Sequence, residues 1–108
     1  MASRQEMTAI IYDRKGRVLS VGKNSYVKTH TLQAHHAKKV GLPDKQYLHA
    51  EIHAISKCRD LNKAHRIAVY RYGKNGQPLL AKPCPVCQNA IESVGINVVE
   101  WTIENDDA

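Results

Sequence analysis

Two short stretches, His49-Ala50-Glu51 and Pro83-Cys84-Pro85-Val86-Cys87, bring one imidazole, two thiols and one carboxylate into a chain of 108 residues. An imidazole with two thiols suits Zn²⁺, which takes nitrogen and sulfur donors in a tetrahedron. Three protein ligands leave its fourth position open for water, as in catalytic rather than structural zinc sites. The 31 residues between the stretches (52–82) must therefore fold so that the two meet. Local geometry narrows this further. Residues two apart on a helix point to roughly opposite sides, at about 100° per residue, so His49 and Glu51 can face one cavity only if a helix begins around Tyr47 to His49. Cys84 and Cys87, three apart, share a helix face if a helix opens near Pro85. A helix N-terminus favours thiolate over thiol, and two such ends at one ion would partly offset two thiolates. Glu51 is placed to move protons to and from water without being a ligand.

In these stretches the chain resembles the zinc-dependent cytidine and deoxycytidylate deaminase superfamily, whose signature is H-x-E followed by P-C-x-x-C. The resemblance implies His49, Cys84 and Cys87 as zinc ligands, Glu51 as proton shuttle, and the backbone N–H of Ala50 near the carbonyl of the base. Upstream, Val21-Gly22-Lys23-Asn24 is similar to the strand end whose asparagine contacts the sugar in several members, which implies a substrate-binding role for Asn24. The activity implied is hydrolytic deamination. Water whose pKa zinc has lowered gives up a proton, Glu51 carries it to the ring nitrogen of cytosine, and the exocyclic amine leaves as ammonia. A structural zinc site, or a chance C-x-x-C near a histidine, is the rival reading. H-A-E and P-C-P-V-C together, each where a helix would start, favour catalysis. His53, four residues after His49, invites comparison with H-E-x-x-H proteases, but the glutamate stands at the third position of the stretch rather than the second.

Charge bears on the substrate. All 16 Lys and Arg fall in residues 1–82 against five acids, a balance of +11, whereas residues 83–108 carry the other five acids and no base. A basic body attracts phosphate on a nucleotide or along a polynucleotide; solvated surface lysines and arginines are the ordinary alternative. Polynucleotide binders add stacking aromatics, yet the chain has no Phe, and of its five Tyr and one Trp, Tyr12, Tyr70, Tyr72 and Trp101 fall in expected strands where they would be core. The reading adopted is a free cytosine nucleoside or nucleotide, with a base in tRNA or single-stranded DNA as the alternative and a non-catalytic zinc-containing binding module as a third.

Residues 1–108 read as one domain. Thr8–Tyr12 and Arg17–Val21 are expected strands around the turn Asp13-Arg14-Lys15-Gly16. A helix is expected over Thr31–Val40, and Lys28 and His30 could meet a phosphate or the sugar. A second helix is expected from Tyr47 to Leu61, a strand over Arg66–Tyr72, a helix from Pro85 to Val94 closed by Gly95, and a last strand over Asn97–Ile103. With the resemblance, this order implies an α/β, three-layer domain, a central mixed sheet of about four or five strands flanked by helices. No helix precedes the first strand, so one sheet face is expected to be thinly covered and the protein to be a homo-oligomer. No signal peptide or spanning segment is evident. Two of three cysteines sit in a C-x-x-C pair, with Cys58 left as a small buried residue. Both features lead to the expectation of a soluble cytoplasmic protein.

Overall fold

The computed structural model describes residues 7–24, 49–73 and 76–103. Met1 to Gln5, the expected helix at Thr31–Val40, Lys28 and His30 lie outside them.

The opening hairpin forms because a single side chain organises its turn. β1 (Met7–Tyr12) and β2 (Val18–Lys23) pair antiparallel. Between them Asp13 Oδ1 accepts the backbone N–H groups of Lys15 and Arg17, each at 2.9 Å, and Oδ2 accepts Arg17 Nε at 2.8 Å. Gly16 takes φ +81°, which a side chain would resist. The backbone bond from Arg17, foremost, holds the Asp13 carboxyl below its usual range.

β3 (Arg66–Arg71) inserts between β1 and β4 (Val98–Trp101), giving the order β2-β1-β3-β4. β1 is antiparallel to both neighbours, while β3 and β4 are parallel. The sheet is mixed, and β2, β3 and β4 all run the same way. Register places Ala9 opposite Gly22 and Val69, and Ile11 opposite Ser20 and Ile67, so these six share one face. On that face lie α1 (Ala50–Lys57) and α2 (Pro85–Ser93), whose Ile52, Ile55, Cys87, Ala90 and Ile91 join the strands in one core. Burying each isoleucine contributes about 1.5–3 kcal/mol. Packing of this kind holds a two-turn helix such as α1, which alone in water would be marginal. Among the described residues the architecture is therefore α/β, with a four-stranded mixed sheet and two α-helices. The opposite face carries Val21, Ile10 and Ala68 in one row, with Arg66 bonded to Glu100 and 4.1 Å from the centre of the Tyr12 ring. A third layer there falls outside the described residues. No described helix is long and apolar enough to cross a membrane.

Several boundaries depart from expectation, and β2 runs Val18–Lys23 rather than Arg17–Val21. α1 stops at Lys57 because the polar Arg59-Asp60 offers no apolar position to hold another turn on the sheet; Leu61–Lys63 forms a separate 3₁₀ turn. β4 spans Val98–Trp101 only, since Thr102 turns its carbonyl to Ala81 N–H at 2.9 Å. Tyr72 and Trp101 are not core: they are 49% and 38% exposed, lying at the ends of β3 and of the outer strand β4. α2, by contrast, ends as its glycine implies. Gly95, at φ +78°, donates to Glu92 O, and Ile96 donates to Ile91 O, the paired bonds of a Schellman motif.

Candidate metal centre

Small residues let α1 approach β2 closely. A Cβ on Gly22 would fall on the backbone of Ala50 and Ala54, so helix and strand touch main chain to main chain. The crossing is pinned along its length. Ser20 Oγ donates to Ala54 O at 2.7 Å, Lys57 Nζ donates to Val21 O at 3.1 Å, and His53 Nδ1 sits 3.0 Å from Lys23 N and 3.1 Å from Lys23 O. α1 thus runs antiparallel to β2 and starts beside the strand's carboxyl end. His49 is its N-cap, with extended backbone (φ −88°, ψ 156°), and leans off the first turn as the His-x-Glu spacing requires. Cys84 is the N-cap of α2, again extended, with Pro85 opening the helix and Cys87 one turn on. Neither helix start has a side-chain cap, so the positive ends of both are left to whatever the site holds.

The two helix starts meet at the carboxyl ends of β3 and β4, where ligands bind in open α/β sheets. His49 Nδ1 lies 3.2 Å from Cys87 Sγ and 3.5 Å from Cys84 Sγ, and the ligand atoms of all three are within 4.8 Å of one another. Around tetrahedral zinc, with Zn–N of about 2.0–2.1 Å and Zn–S of about 2.3 Å, donors stand roughly 3.6–3.8 Å apart. The three side chains fit such an ion closely, and they form the metal-capable cluster found among the described residues.

The thiols are electrostatically unequal. A hydrogen bond from Cys87, helped by His49, brings the Cys84 thiol down to about 3. The same bond, then burial, pushes Cys87 far up. A divalent ion held by both would bind them as thiolates, because metal-bound cysteines are deprotonated. Glu51 sits beside them. It is 2% exposed, and Oε1 has no hydrogen-bond partner. Burial, above all, raises its carboxyl, and His49, Cys84 and Cys87 all act on it. An unpartnered buried polar atom costs about 1–3 kcal/mol, so this oxygen works against stability where it stands.

The family model for the cytidine and deoxycytidylate deaminase zinc-binding region matches residues 1–102. The chain belongs to that family. Its chemistry is accordingly that of a zinc-dependent cytidine/deoxycytidylate-type deaminase, acting on a nucleoside, a nucleotide or a nucleic-acid base. No curated protein matches the chain. As a deaminase-family protein it should carry about one zinc per chain, held by three donors. Elemental analysis should find that zinc in the purified protein and lose most of it in Cys84→Ser and in Cys87→Ser; metal retained by both variants would exclude this site.

Asn24 directly follows β2. Its Oδ1 accepts Met7 N–H at 2.9 Å, and its own N–H donates to Met7 O at 3.3 Å. It therefore closes the end of the β1–β2 ladder beside the start of α1. Ala50 is the first residue of α1 and fully buried. Sequence reasoning missed Gly22 and Ser20 as residues that seat α1. The signal was present for one of them, because a glycine inside a strand pattern marks close backbone approach.

Proposed function

We propose that the protein deaminates the cytosine base of a free nucleoside or nucleotide, cytidine, deoxycytidine or a monophosphate, to the uracil form with release of ammonia. The observation that carries this reading is the buried Glu51 carboxyl with an unpartnered oxygen among His49, Cys84 and Cys87. In it, these three residues hold zinc, which when bound supplies a water acidified toward neutrality. Glu51 takes the proton of that water and delivers it to the ring nitrogen, making C4 electrophilic. It then serves the departing amine, acting as base and acid in turn. The raised carboxyl supports this, since a proton shuttle works best when its pKa approaches the working pH. Ala50 N–H, at a helix start where amides lack partners within the helix, binds the base carbonyl, and Asn24 meets the sugar. A cytoplasmic homo-oligomer serving pyrimidine salvage completes the reading.

An ammonia-release screen over cytosine, cytidine, deoxycytidine, their monophosphates, adenosine and a single-stranded oligonucleotide tests it. Turnover of a free cytosine nucleoside or nucleotide is expected. Activity restricted to the oligonucleotide or to adenosine would replace the substrate, and zinc without ammonia release from any of them would favour a binding module.

A further inference from the structure

At the end of the sheet remote from the metal centre, the β1–β2 turn, the 3₁₀ turn and the α2–β4 connection enclose a cleft of about 440 Å³. Three pieces of chain that are distant in sequence meet there through the main chain. His65 N–H donates to Tyr12 O at 2.9 Å, and Asn97 N and Val98 N donate to His65 O at 3.3 and 3.2 Å. Arg14, Lys15 and Arg17 line one wall and Lys63 the other. Among the described lining residues the one acid, Asp13, is already spent on the Lys15 and Arg17 backbone and on the Arg17 guanidinium. With His65 neutral the lining carries a net charge of +3.

One effect opposes an anion here, the C-terminus of α2, which carries roughly half a negative charge. Gly95 and Ile96 N–H groups already occupy its last carbonyls, and half a charge does not outweigh three. Gly95 adds an open wall, since a Cβ there would meet nothing within 4 Å.

We propose that this cleft is a second, non-catalytic site for a small polyphosphorylated anion, of the class of pyrophosphate or a nucleoside di- or triphosphate. The volume lies in the range of small-molecule sites, about 300–1,000 Å³, and several cations converging from two walls suit a ligand bearing several negative charges. Among the described residues no Tyr or Trp lines the cleft to stack a base, which disfavours a nucleic-acid strand. The site is distinct from the proposed deaminase centre and does not depend on its substrate.

The test is calorimetric titration of the zinc-loaded full chain with inorganic pyrophosphate at low and at physiological salt, beside the Arg14→Glu/Lys63→Glu double variant. Both side chains are outside the deaminase centre, so folding by circular dichroism and ammonia release should be unchanged. The expected result is saturable binding by the wild type that weakens with salt and falls about tenfold or more in the double variant. Arg14→Gln/Lys63→Gln, which removes charge without reversing it, should fall between the two and serves if the reversal impairs folding. No binding by the wild type, or equal binding by wild type and variants, would overturn the proposal. So would charge-dependent capture of a single-stranded oligonucleotide with pyrophosphate ignored.

Discussion

Glu51→Gln should keep its zinc and lose about two to four orders of magnitude in turnover, the range that a positioned acid–base group supplies. Glutamine nearly matches glutamate in shape, so the ligand cluster of His49, Cys84 and Cys87 should be undisturbed, but an amide can neither accept the proton of water nor return it. The buried carboxyl has an oxygen without a partner, and burial disfavours its charged form. The substitution should therefore leave thermal stability equal or raise it slightly. Loss of activity with stability and zinc content intact is the signature of a catalytic group; a buried residue needed only for packing would show the reverse. Near-wild-type turnover in Glu51→Gln would end the assignment of Glu51 as shuttle.

Gly22→Ala carries the largest expected cost in stability. The added methyl would overlap Ala50 and Ala54 main-chain atoms and stand 2.8 Å from Ala54 Cα. Overpacking against movable side chains costs typically about 1–3 kcal/mol; here the obstacle is helix backbone, so about 3 kcal/mol or more is expected. Relief requires α1 to lift from β2, which displaces His49 as well. The variant should show a depressed denaturation midpoint together with weakened zinc retention, whereas Gly16→Ala, strained in φ but facing open space, should lose some stability and keep its metal. A Gly22→Ala protein as stable as wild type would show that the crossing is looser than described.

The metal donors were legible because they are chemically rare and each half carries its own helix-start signal. Pro85 opens α2 and Gly95 closes it, and His49 can reach a shared cavity only from the edge of a helix. The hairpin was legible for a similar reason, since the Asp13-to-Gly16 run specifies its turn locally. Insertion of β3 between β1 and β4 was not legible, because pairing such as Ile11 with Ile67 is decided by contacts across more than fifty residues and leaves no local trace. Trp101 misled for a related reason. A large aromatic in a strand pattern reads as core, but β4 is the outer strand of the described sheet, and only the finished strand order reveals that. The inequality of Cys84 and Cys87 was hidden as well; both are cysteines in one motif, and what separates them is that Cys84 caps α2 half-buried while Cys87, one turn on, is buried.

The seating of the two helices also bears on how the protein acquires its ion. Cys84 and Cys87 lie within one turn of each other and can meet zinc as a local pair, but His49 joins them only where α1 and α2 lie together on the sheet. Completion of the donor triad therefore requires both helices to be seated on the same face of the sheet. A half-built domain would hold its metal by two sulfurs alone and surrender it readily to a competing chelator.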